Sequence, residues 1–171
     1  MPNRISSSEL ADLKIEELAR GLSFFRAGCL RPTAGGSDCE KLLDETAPCV
    51  LYAEIVEGRV MKFGTTDSLV FRQTLNARTI NNILAFQDGR SRSKNRKITG
   101  PTTYDKYKQQ APRVIREGKT IEIWATSLSS RDSCQDVLKR FNAKCSACEV
   151  VEAALNRKYK TIEYGWASRL N

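Results

Sequence analysis

Two strand-like runs, Cys49 to Val56 and Arg59 to Gly64, flank Glu57-Gly58 and read as an antiparallel hairpin. The length of the turn decides which residues share a face, because a one-residue slip moves every side chain to the opposite side. A two-residue loop pairs Val56 with Arg59 and sets Tyr52 opposite Phe63, leaving Lys62 on the other face. A three-residue loop, Val56-Glu57-Gly58, pairs Ile55 with Arg59 and sets Tyr52 directly across from Lys62. The second register also sorts the chemistry. Leu51, Ala53, Ile55, Met61 and Phe63 fall on one face, and Tyr52, Glu54 and Lys62 on the other. Gly58 suits the left-handed last position of such a loop, so we expect the three-residue turn.

Around the hairpin, Ser6 to Leu22 reads as a helix, with Ser6 and Glu9 as a capping box and Leu10, Leu13, Leu18 and Leu22 as its apolar stripe. Residues from about Arg26 to Pro48 carry Pro32, Gly35, Gly36, Ser37 and Pro48 and read mostly as loop. After Gly64, Asp67 can cap a helix through Leu69, Phe71, Arg72 and Leu75. Thr120 to Thr126 reads as a third strand with Ile121, Ile123 and Ala125 inward, and about 145 to 159 as a final helix. Residues 127 to 143 are ambiguous. The expected fold is a mixed α+β domain, a small three-stranded, mainly antiparallel sheet flanked by helices. Residues 1–48 form an appendage to a domain spanning 49–171, which carries an insertion at about 84–119.

The chain has 171 residues, enough for one ordinary core. It shows no secretory signal pattern and no apolar run long enough to cross a bilayer, which predicts a cytoplasmic protein with no membrane partner. Six cysteines (Cys29, Cys39, Cys49, Cys134, Cys145 and Cys148) are too sparse for a disulfide scaffold, so reduced thiols are the expectation. Cys145 and Cys148 have a zinc-like spacing, but they fall in a helix, lack a second pair and have no histidine to help, so no zinc is expected.

The net charge of +8 is concentrated. Between Arg90 and Lys119 stand ten basic residues against only Asp105 and Glu117, and the rest of the chain balances at eighteen of each sign. Tyr104 and Tyr107 interleave the charges, a combination suited to phosphates and base edges.

Tyr52 precedes Lys62 by ten residues, and Lys62 precedes Arg72 by ten. In the last helix Glu152 shares a face with Cys148, Leu155 and Tyr159, whereas Glu149 shares one with Cys145, Ala153 and Asn156, so Glu152 is the carboxylate expected to look inward. Such a carboxylate can hold one Mg²⁺ (or Mn²⁺) with several waters. Arg72 offers a planar fork to phosphate oxygens. Tyr52 is the candidate base; with a free pKa of about 10 it must be made more acidic, and a lysine across the hairpin would do so. A desolvated, neutral Lys62 as base with Tyr52 orienting water is the alternative.

These residues resemble the GIY-YIG nuclease family. Leu51-Tyr52-Ala53 stands where that family has its first tripeptide and Lys62-Phe63-Gly64 where it has the second. Arg72 follows at the usual spacing, and Glu152 with Ala153, Ala154, Leu155 and Tyr159 resembles its catalytic-glutamate helix. Lys62 replaces the second tyrosine, as in a Lys-x-Gly branch that includes compact type II restriction endonucleases. Thr65 stands where some members have a histidine. The resemblance implies a Mg²⁺-dependent endonuclease of double-stranded DNA, homodimeric and without a small-molecule cofactor, with catalytic Tyr52, Lys62, Arg72 and Glu152 and the metal on Glu152. The expected DNA contacts are Arg92, Lys94, Asn95, Arg96, Lys97, Tyr104 and Lys106. A phage or mobile-element nuclease of loose specificity and a non-catalytic DNA-binding module of the same fold are the rival readings.

Overall fold

Antiparallel pairing organises the whole molecule. In a computed structural model, residues 2–15, 21–40, 46–90, 104–128 and 147–167 are described. In chain order they form α1 (Ser7–Ala11), β1 (Phe25–Thr33), β2 (Gly36–Glu40), β3 (Thr46–Val56), β4 (Arg59–Ser68), α2 (Leu69–Gln87), α3 (Tyr104–Arg116), β5 (Ile121–Ser127), α4 (Ala147–Lys158) and α5 (Thr161–Tyr164). The strands make one antiparallel sheet in the order β2-β1-β5-β3-β4. The mixed α+β class matches the sequence reading, but the sheet has five strands rather than three. The segment read as loop supplies the other two. Pro32 misled that reading. It pairs only with Ser37 of β2, beyond Leu30, where pairing with β5 ends, so β5 asks no N–H of it.

The hairpin register differs from expectation in a compensating way. Val56 pairs with Arg59 across a two-residue turn whose central residues, Glu57 and Gly58, have φ of 51° and 71°. Two positive φ values define the turn that matches strand twist in tight hairpins. A bulge then intervenes, so that Ile55 pairs with Val60 but Glu54 pairs with Lys62, Ala53 with Phe63 and Tyr52 with Gly64. The extra residue, Met61, restores the parity that the shorter turn had reversed. Tyr52, Glu54 and Lys62 therefore do share a face, while Met61 leaves the face assigned to it and packs beside the Tyr52 side of the sheet.

Each face carries a core. Leu51, Ala53, Ile55 and Phe63 pack on Val151, Leu155 and Tyr159 of the α4 region and on the N-terminal residues Leu10, Leu13 and Leu22. Val50, Tyr52, Ile121, Ile123 and Ala125 pack on Leu69, Ile80 and Leu84 of α2 and on Tyr107, Ala111 and Ile115 of α3. The single helix expected from Ser6 to Leu22 is replaced by the five-residue α1, capped by the Ser6 hydroxyl accepting from Glu9 N–H, after which Leu13 and Leu22 pair as antiparallel backbone. Ser68 rather than Asp67 caps α2, its hydroxyl accepting from Phe71 N–H.

β4 is an edge strand, and its open side is covered from Val60 to Phe63. Val60 N–H donates to the Asn3 carbonyl, and Trp166 N–H donates to the Met61 carbonyl. Asn156 then bonds both backbone groups of Phe63, at 2.9 Å to N and 3.1 Å to O. Covering an edge in this way satisfies its polar groups and blocks pairing with another chain. It also fixes α4 against β4, which places Glu152. Cys49 and Cys148 are disulfide-bonded, with Cα atoms 5.9 Å apart, tying β3 to the same helix. This corrects the expectation of reduced thiols for that pair, whose sequence separation of 99 hid their contact.

Candidate active site

The centre of the site is the Tyr52 ring. It lies across Gly64, where an added Cβ would stand 2.4 Å from Cζ and 2.5 Å from the hydroxyl oxygen of Tyr52. The glycine of Lys62-Phe63-Gly64 is therefore needed for space, not for an unusual backbone angle. The Lys62 ammonium lies 5.4 Å from the centroid of the Tyr52 ring and 4.7 Å from that of Tyr107. Lys62 thus sits between two aromatic faces that stabilise its charge.

Glu54, fully buried, is the register partner of Lys62. Its Oε1 accepts 3.0 Å from Asn76 Nδ2, which also donates 3.2 Å to Gln73 Oε1. Burial pushes the Glu54 carboxyl up; Lys62 is the strongest opposing influence, followed by the neighbouring Gln73 and Asn76 amides and Arg72. Gln73 favours the anion by proximity without closing a bond, since Glu54 Oε2 and Gln73 Nε2 are both buried without a hydrogen-bond partner. Arg72 Nε, also buried, is in the same condition.

Burial likewise raises the Tyr52 phenol, against the pull of Lys62 and Arg72, with Glu54 adding to the rise. Burial works on Lys62 in the opposite sense, but its neighbours Tyr52, which also hydrogen-bonds it, and Glu54 outweigh burial and hold the ammonium above its ordinary range. At neutral pH the site therefore presents a neutral phenol beside a cationic lysine. A cationic lysine has no lone pair to act as a base, and a neutral phenol must first lose its own proton to act as one.

Glu152 approaches from elsewhere. Thr65 lies on the Phe63 side of β4, and its hydroxyl donates to Glu152 Oε2 at 3.0 Å, so α4 brings the carboxylate to the edge strand from the face opposite Tyr52 and Lys62. Burial raises its pKa, and the Thr65 bond, Lys62 and Arg72 oppose that rise, so the charges of the two cations reach it. Glu149 is exposed, as the helical spacing predicts. The structure thus gathers Tyr52, Lys62 and Arg72 on one face and holds Glu152 around the edge, within electrostatic reach.

Among the described residues there is no group of three histidine, cysteine, aspartate or glutamate side chains suited to a metal. A lone carboxylate with a hydroxyl beside it fits a hard cation that keeps most of its water. Cys148, engaged in the disulfide, is not free as a zinc thiolate, and Cys134 and Cys145 lie outside the described residues.

Of the expected DNA contacts, Arg92, Lys94, Asn95, Arg96 and Lys97 lie outside the described residues, and Tyr104 opens α3. The Lys106 ammonium donates to the Ile162 carbonyl at 2.5 Å, which ties α3 to the chain after α4. Three contributors escaped the sequence reading. Strand alternation puts Glu54 on the Tyr52 face without showing its partner, nothing in the pattern marks Asn76, and helical spacing groups Asn156 with Glu149. The buried Tyr159, three residues beyond Asn156, is the available signal for the last.

No family model matches the chain, and no curated protein does. Two solved structures share 17% and 13% identity with it. A mutant of bacteriophage T4 EndoII aligns over 70% of this chain and 88% of its own, with a TM-score of 0.45. The restriction endonuclease HPY188I, in complex with product DNA, aligns over 85% of this chain and 91% of its own, with a TM-score of 0.39. No described helix is long and apolar enough to cross a membrane.

Proposed function

We propose that the protein is a metal-dependent endonuclease hydrolysing phosphodiester bonds in double-stranded DNA. The supporting observation is the pairing of a buried phenol with a cationic lysine, 5.4 Å from its ring centroid, over a glycine that leaves room for the ring and beside an arginine with an unused Nε–H. A core tyrosine with only a packing role would gain nothing from two half-buried cations. Phosphate chemistry does, because it needs positive charge around the scissile group and a proton acceptor for water.

In this reading Arg72 and Lys62 hold the phosphate oxygens, Arg72 through its planar fork and Lys62 as a point charge. Tyr52 takes the proton of the attacking water once it has itself lost its proton, the phenolate being favoured by Lys62 and Arg72 against burial. Glu152, steadied by Thr65, would hold Mg²⁺, and the bound ion would polarise the phosphate and stabilise the departing oxygen. The basic stretch from Arg90 to Lys119 supplies the sequence-independent attraction to DNA. A type II restriction activity on a short symmetric site, with a homodimer cutting both strands, is the finer form of the proposal.

The test is supercoiled plasmid incubated with the protein in Mg²⁺ and in EDTA. Discrete linear fragments in Mg²⁺ alone support the restriction form. Random nicking supports only the nuclease. Tight, salt-sensitive DNA binding without cleavage in Mg²⁺ or Mn²⁺ overturns both.

A further inference from the structure

A half-buried lysine packed between Tyr52 of the sheet and Tyr107 of α3 needs a counter-charge nearby, or desolvation favours loss of its proton. The groups acting on Lys62 are Tyr52 and Glu54 of β3, Tyr107 of α3 and, from α4, Glu152. The two tyrosines offer ring faces, and Tyr52 a hydrogen bond besides. Glu152 is engaged by Thr65 on the far side of β4. Glu54 is the acid on the same face, opposite Lys62 in the ladder, with one oxygen held by Asn76 and the other unbonded. No direct ion pair closes between them, but in a site with little water their charges act across the gap.

We infer that Glu54 is a positioning residue of the active site, the counter-charge that keeps Lys62 cationic and in place between Tyr52 and Tyr107. The Gln73–Asn76 pair on α2 holds Glu54 in turn, so the first turns of α2 present Arg72 to the substrate and fix the acid behind Lys62. The inference rests on the proposed function for its catalytic consequence alone. The coupling between Glu54 and Lys62 stands without it.

Two arms test it with Glu54→Gln, Lys62→Met and the double variant. In plasmid cleavage Glu54→Gln lowers kcat by about tenfold or more while leaving KM within about twofold, the pattern of an interaction needed in the transition state. Adding it to Lys62→Met costs little further, since the residue it serves is gone. In urea unfolding the double variant has a higher midpoint than Glu54→Gln alone, because removing both charges leaves neither stranded. Additive losses in either arm overturn the inference, as does a Glu54→Gln enzyme with wild-type kcat. If Glu54→Gln does not fold while the double variant does, the coupling is demonstrated; if neither folds and Lys62→Met does, Glu54 is structural and the inference falls. A wild-type protein that cuts no DNA defeats the proposed function, yet the unfolding arm still decides the pairing.

Discussion

Asn156→Ala isolates the bond that fixes the glutamate helix to the sheet. Asn156 is buried and spans both open backbone groups of the edge residue Phe63, and its Oδ1 also accepts from the Thr161 hydroxyl at 2.6 Å. Truncation leaves the Phe63 N–H and carbonyl unpaired beneath α4, at about 1–3 kcal/mol for each buried group stranded. The two together make about 2–6 kcal/mol, a large share of the roughly 5–15 kcal/mol that holds a domain folded. With a urea slope of about 2 kcal/mol per molar, the midpoint falls by about 1–3 M. Equilibrium urea unfolding followed by tryptophan fluorescence reads this directly, since Trp124 and Trp166 both lie in described parts of the fold. Asn156→Asp keeps the acceptor for Phe63 N–H but loses the donor and buries a charge, so it does not restore stability. A midpoint for Asn156→Ala within about 0.3 M of wild type, a difference below what one stranded group costs, would refute the edge-clamp reasoning.

Three further outcomes follow from the geometry. Gly64→Ala forces the Tyr52 ring aside, so it costs about 1–3 kcal/mol in urea unfolding and lowers plasmid cleavage; a fully active, equally stable variant contradicts the close approach. Burial, helped by the hydrogen bond to Glu40, pushes the Cys29 thiol up to about 11, so iodoacetamide modifies it slowly in the folded protein at pH 8. The sign is that of a raised pKa: its contribution to stability is present below about pH 9 and lost as pH climbs towards 11, and rapid labelling at pH 8 is the opposing result. Non-reducing digestion yields a peptide pair joined through Cys49 and Cys148, and reduction lowers the urea stability by about 2–5 kcal/mol, as expected for a link closing so long a loop; two separate peptides argue against the bond.

The hairpin and the faces of Tyr52, Glu54 and Lys62 were legible because a period of two sorts apolar from polar residues. The bulge at Met61 was not. Two registers of the same parity give the same pattern, and the sequence cannot separate a three-residue turn from a two-residue turn with a bulge beyond it. Strands β1 and β2 were hidden by Pro32, Gly35 and Gly36, which signal loop by local propensity but are tolerated where only one neighbouring strand asks for bonds. The inward turn of Glu152 followed from helical spacing with Leu155 and Tyr159. The partners that hold it did not, because Thr65 and Phe63 are 87 and 93 residues from Glu152 and Asn156. The Glu54–Asn76 contact is hidden for the same reason, since a burial pattern shows which side a polar residue faces but not what it meets.

The most direct test of the account compares Tyr52→Phe and Glu152→Gln with wild type in single-turnover cleavage of duplex DNA in Mg²⁺, with binding to the same duplex measured in parallel. Each variant is expected to bind DNA within a fewfold of wild type, while cleavage falls by about 10²–10⁴ for Tyr52→Phe, the range for loss of a proton-transfer group, and Mg²⁺-dependent cleavage is lost in Glu152→Gln. Variants that cleave as fast as wild type would remove both the phenol and the carboxylate from the chemistry.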